Sequence, residues 1–299
     1  MSASDLPPEL LSRLEPPALD CYALATGWVP VPNVPWQSHV YHHPGDRETA
    51  LWVPRRPHDH SFTRMMADAV VRLAAVDGRP PRELLHDLLL HDCDVLRFRV
   101  GSASPDYGTL SLGEGTRLLD GVRRALAAAA CAAVRPGPAH DPEHPAVRQF
   151  LAGCLLGPTE HGSLTFPVAC RLPAAPDVPA EEAPFPRQVI GLFLRSAASV
   201  AEARATRNGA KELLPLAGDA RLSAELCEAL AEMHGQGERD GLTISVSWSA
   251  AWPLAEEGRL PREVSLRPEA FAPLADLGRW LREVAEPQDE RLAGTAAGQ

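Results

Sequence analysis

Leu242-Thr243-Ile244-Ser245-Val246-Ser247-Trp248-Ser249 decides the fold class. Its apolar residues and its hydroxyls alternate without a break, and only an extended chain sends two such sets to opposite faces. A strand with one wet face belongs to an antiparallel sheet, because parallel strands are covered on both sides. Reading outward, Glu263 to Leu266 forms a second strand, and Pro268 opens a helix with Phe271, Leu274, Leu277 and Leu281 along one stripe. Upstream, Leu164 to Leu172 reads as a strand, followed by helices over Gln188–Ala205 and Ser223–Met233.

The N-terminal half shows a comparable succession. His39–His42 and Thr49–Val53 flank a Pro-Gly-Asp turn and predict a hairpin. Met65, Met66, Ala69, Val70, Leu73 and Val76 recur at helical spacing after Ser61, and Pro80 and Pro81 introduce a second helix to about Leu90. Leu96, Phe98 and Val100 alternate with Arg97 and Arg99 as a strand, Thr109–Leu112 offers another, and Glu114–Val134 is a long Ala-rich helix. The expectation is therefore an α+β protein of two similar β-α-α-β-β-α halves, the product of an internal duplication, with antiparallel-rich sheets and helices packed on one side. The expected boundaries are a Pro-broken leader (1–27), an N-terminal half (28–135), a Pro-rich connector with a short helix (136–161), a C-terminal half (162–285) and a flexible tail (286–299).

Composition narrows the function classes. Lys211 is the only lysine and is followed by Glu212 and Leu213, so no phosphate-binding loop ending in Lys-Ser or Lys-Thr exists. Kinase, Schiff-base and Ser-x-x-Lys chemistries each need a lysine that this chain has nowhere else to supply. The arginine-for-lysine bias together with abundant Ala, Pro and Gly points to a high-GC bacterial source. Six cysteines carry no C-x-x-C spacing, which argues against a zinc ribbon, an iron–sulfur site or a thioredoxin-type pair. Without an apolar run of about 20 residues or a basic, apolar leader, the expectation is a cytoplasmic protein with no membrane partner.

The net charge of −10 disfavours nucleic acid, but it is uneven: residues 47–135 carry a slight positive excess while the remainder is strongly acidic. Three candidate sites follow. The hydroxyl face of Thr243, Ser245, Ser247 and Ser249, with Arg97 and Arg99 on a neighbouring strand, is a candidate surface for a protein partner. The loop holding Thr159, Glu160, His161 and Ser163 gathers a carboxylate, an imidazole and hydroxyls between two glycines, where general acid–base chemistry could sit. Five histidines lie between His39 and His60; His42, His58 and His60 with Asp59 form a donor set suited to zinc or another transition metal. Arg55, Arg56, Arg123 and Arg124 are candidate phosphate contacts.

No complete catalytic constellation or cofactor fingerprint emerges. The expected function is a non-catalytic binding or scaffold subunit of a multi-protein complex, an uncharacterised bacterial α+β protein working by protein–protein interaction. The alternatives are a metal-dependent hydrolase built on the N-terminal histidines and an arginine-mediated accessory to nucleic acid.

Overall fold

A computed structural model describes residues 6–32, 34, 38–43, 45–55, 61–101, 110–135, 141–157, 164–173, 182–202, 222–234, 241–252 and 260–295. The chain is α+β, with helices and two antiparallel sheets of three and five strands. It divides into two compact units: one of Met1–Val95, Pro173–Asp177 and Ser247–Ala255, the other of Leu96–Leu172, Val178–Val246 and Glu256–Gln299. Among the described residues no helix is long and apolar enough to cross a membrane.

The first unit begins with α1 (Pro8–Leu11) and α2 (Pro16–Ala25), inside the segment whose prolines suggested a broken leader. Each helix starts on proline, where the missing amide has no helical partner to lose, so these prolines start helices rather than interrupt them. Strands β1 (Val29–Pro30), β2 (Ser38–His43) and β3 (Asp46–Pro54) pair in sequence order, with Val40 opposite Trp52 and Tyr41 opposite Leu51. Helices α3 (Phe62–Asp77) and α4 (Pro81–Leu89) follow, close to their predicted bounds. Leu19, Trp28, Leu51, Met66, Leu73 and Leu84 belong to one buried core. The Tyr22 hydroxyl donates to Asp77, tying the end of α2 to the end of α3, and Arg79 reaches Glu83 at 2.9 Å and Asp87 at 2.5 Å.

In the second unit, strands β4 (Cys93–Val100), β5 (Cys154–Leu156), β6 (Leu164–Arg171), β7 (Leu242–Ser247) and β8 (Glu263–Leu266) are ordered β5-β6-β4-β7-β8. The chain enters this unit within β4. Helices α5 (Leu112–Val134) and α6 (Pro145–Ala152) separate β4 from β5. Helices α7 (Phe185–Glu202) and α8 (Ala224–His234) separate β6 from β7, and α9 (Phe271–Thr295) follows β8, continuing through the segment expected to be a tail. Leaving α6, α8, β8 and α9 aside, this is the β-α-β-β-α-β succession of a split unit with β4 and β6 central.

The expected internal duplication is not confirmed. Its N-terminal copy needs a strand over 109–112, but Ser111 caps α5: its hydroxyl accepts from the Glu114 amide at 3.3 Å while Glu114 reaches back to the Ser111 amide at 3.0 Å. This capping box satisfies two amides at the start of α5 that would otherwise lack intrahelical partners. Cys154–Leu156, inside the segment expected to be a Pro-rich connector with a short helix, is an edge strand paired with β6.

Helix α8 packs against both α5 and α9 at positions where side chains have been removed. A Cβ on Gly121 of α5 would sit 2.8 Å from Met233 Cγ and 3.0 Å from the Ala229 carbonyl oxygen. Glu228 of α8 accepts from Arg124 of α5 at 3.3 Å and from Arg282 of α9 at 2.6 Å. At the start of β7, Gly241 has φ +113°, and a Cβ there would stand 2.3 Å from the Leu266 carbonyl oxygen. Backbone strain and this clash act together, so Gly241→Ala is expected to lower unfolding free energy by at least about 2 kcal/mol, read from urea denaturation.

Candidate functional site

The alternation read in 242–249 is present: Leu242, Ile244 and Val246 are buried and Thr243, Ser245 and Ser247 half-exposed. On β8 the same parity buries Val264 and Leu266 and exposes Glu263 and Ser265. The register sets Thr243 against Ser265, whose hydroxyls lie 3.1 Å apart, and Ser245 against Glu263. On β4 the Phe98 ring meets Phe193 of α7 at 6.0 Å, so even-numbered residues face the helices and Arg97 and Arg99 point the other way. The sheet face turned away from Phe193 of α7 thus presents Arg99, Thr243, Ser245, Glu263 and Ser265.

Two residues expected on that face are not available there. Arg97 is 6 % exposed, so only Arg99 of the pair reaches solvent. Ser249 lies beyond the end of β7 and is 5 % exposed. Its amide donates to the fully buried Asp94 carboxylate at 2.8 Å and its hydroxyl donates to the His91 carbonyl. Alternation persists only while the chain is a strand; the turn after Ser247 rotates Ser249 inward, where its polar groups need partners.

The loop candidate Thr159, Glu160, His161 and Ser163 lies outside the described residues, as do Arg56, His58, Asp59 and His60. Of the metal candidates His42 alone is described: it is half-buried on β2, and its Nδ1 is shielded with no hydrogen-bond partner among the described residues. Among the described residues no three His, Cys, Asp or Glu side chains gather closely enough to hold an ion. Of the phosphate candidates, Arg123 is engaged with Asp120 at 2.9 Å, and Arg124 with Glu228 and Glu232.

A cluster in the first unit was not legible in the sequence. Asp20 of α2 accepts from His39 Nδ1 at 2.7 Å and from the Tyr41 hydroxyl at 2.8 Å. His39 and Tyr41 share a face of β2 by period 2; that half of the cluster was readable, whereas nothing local links either to a carboxylate about twenty residues upstream. A carboxylate on Nδ1 fixes the imidazole tautomer and leaves Nε2 able to take a proton, as in the His–Asp part of a hydrolytic triad. The adjacent Cys21 is no ready nucleophile: burial, and then the Asp20 charge, push its thiol above the ordinary cysteine range, away from the reactive thiolate. The Tyr41 phenol is also raised, by burial first, then by its bond to Asp20 and the charges of Asp20 and Cys21, with Arg55 opposing.

Compared with protein-family models, curated proteins and solved structures, the chain matches none. The reading of the site therefore rests on its own chemistry.

Replacing Asp20 with alanine strands two donors, one on the buried Tyr41, and is expected to cost about 2–3 kcal/mol, against about 1 kcal/mol for Tyr41→Phe, which removes donor and demand together. Because the folded-state Tyr22 and Tyr41 phenols lie above their unfolded value, their stabilisation is complete below about pH 10 and is lost as pH rises past it. Titration at 295 nm should show these two phenols ionising only together with alkaline unfolding.

Proposed function

We propose that this chain is a non-catalytic, cytoplasmic bacterial binding subunit that works within a larger protein complex, using the sheet face of the second unit turned away from Phe193 of α7 as its contact surface. One observation carries the reading: hydroxyls, a carboxylate and an arginine project side by side from paired strands at Arg99, Thr243, Ser245, Glu263 and Ser265. Paired strands hold neighbouring side chains about 4.5–5.5 Å apart at fixed positions, so a partner's polar groups can meet them with little ordering cost. The mixed charge favours a protein surface over a polyphosphate chain. The engagement of Arg123 and Arg124 with carboxylates, together with the net charge of −10, also weighs against nucleic acid.

A second reading has one observation in its favour. The Asp20–His39 pair is an oriented base, and a hydrolase would need one. It lacks a described nucleophile, and the raised Cys21 thiol does not supply one.

Affinity purification of the tagged chain from its native host separates the two. The wild type is expected to bring down a stoichiometric protein, and Arg99→Glu with Ser245→Lys should lose it at unchanged melting temperature. A lone monomer with a turnover abolished by His39→Ala would replace the binding reading with the enzymatic one.

A further inference from the structure

Two of the six cysteines meet across strands that the sequence did not pair. Cys154 on β5 stands directly opposite Cys170 on β6, and their sulfurs are 3.6 Å apart. The flanking hydrogen bonds define the kind of pair. The Arg171 amide donates to the Gly153 carbonyl at 3.1 Å, and the Gly157 amide donates to the Pro167 carbonyl at 2.8 Å. Bonded and non-bonded pairs alternate along an antiparallel ladder, so 153–171, 155–169 and 157–167 are the bonded pairs and 154–170 is a non-bonded one. In such pairs the α-carbons approach to about 4.5 Å, inside the range a disulfide spans, and both side chains rise from the same face.

Access completes the arrangement. Cys154 is part-exposed on an edge strand, where its thiol makes a weak 3.4 Å bond to the Phe150 carbonyl besides meeting Cys170, whereas Cys170 is 1 % exposed behind it. One sulfur can therefore meet a reagent from solvent, and the other is placed to resolve the product.

We propose that Cys154 and Cys170 form a redox-responsive dithiol that a low-molecular-weight disulfide such as oxidised glutathione converts to a cross-strand disulfide. The Cys154 thiolate, having released its proton to solvent, attacks one sulfur of the oxidant; the glutathione S–S bond breaks and one glutathione thiolate leaves. The Cys170 thiolate then attacks Cys154 Sγ, the mixed disulfide breaks, and the second glutathione leaves. Two protein thiols are oxidised, one small disulfide is reduced to two thiols, and the two protons lost by the cysteines end on the leaving glutathiones. The other cysteines are poorer candidates: Cys227, for example, is fully buried and its thiol is pushed up to about 12 by burial and the Glu228 and Glu225 charges.

The test incubates the full chain, first fully reduced, with oxidised glutathione, caps the remaining thiols and maps the peptides. Two of the six thiols should disappear, the protein should become two hydrogens lighter, and the peptides carrying Cys154 and Cys170 should run as one until reduced. Cys170→Ser should trap one glutathione on Cys154. Since Cys170 is buried, Cys154→Ser at the part-exposed position is the second variant: it should keep its circular dichroism and melting temperature and form no crosslink. A glutathione that stays on Cys154 of the wild type, a crosslink elsewhere, or six thiols surviving the oxidant would overturn the proposal.

Discussion

The second unit depends on β4 being hydrogen-bonded at both edges, to β6 and to β7. The two faces of β4 are nearly covered, and of its eight residues Arg99 alone is exposed. Phe98 fixes the orientation by packing on Phe193 of α7. Once that face is committed to the helices, the pairing of β7 beside β4 and β8 beside β7 leaves no freedom: a shift of one residue would exchange Ile244 with Ser245 and drive hydroxyls into the core. The polar face considered as a contact surface is thus the necessary complement of the apolar one, and its composition alone is open to selection.

Helix α8 is the second dependency. Its closeness to α5 and α9 requires a missing side chain on each neighbour, at Gly121 and Gly278, where a Cβ would meet Met233 and Glu228 within 3 Å. Glu228 then bridges both neighbours by accepting from Arg124 and Arg282. Of the two, Arg124 is a candidate phosphate contact on the sequence alone. Packing the helices this tightly places carboxylates beside them, and the ion pairs absorb charge that would otherwise face a partner.

Legibility in the sequence followed the strength of periodicity. Helices α3, α5, α7 and α8 and strands β4, β6, β7 and β8 each repeat an apolar pattern over enough residues to set their type, and the structure places them near their expected bounds. The failures came where a pattern was short or a residue carried two meanings. Prolines at positions 8 and 16 are breakers inside a helix and starters at its first turn, and only the burial of Leu11, Leu19 and Ala23 decides which. Residues 109–112 alternate like a strand, yet the reciprocal bonds between Ser111 and Glu114 outweigh so short a pattern. Strand order was beyond reach because it is set by which faces must be buried together, a property of the assembled sheet rather than of any segment.

Contacts across the fold were the least legible, and the two thiol environments show why. Cys21, inside α2, and Cys154, just after α6, look alike in the sequence because neither belongs to a paired motif. Asp20 beside Cys21 is committed to His39 and Tyr41, and its charge with burial holds that thiol protonated. Cys154 instead faces a second sulfur, because a three-residue strand with no periodic signature chose β6 as its partner and Cys170 as its opposite number. Reactivity at a cysteine is decided by what stands across from it, so a spacing rule such as C-x-x-C finds pairs made by a helical turn and overlooks pairs made by a ladder. Sixteen positions separate these two sulfurs in the chain, and a tight register between two short strands removes that distance.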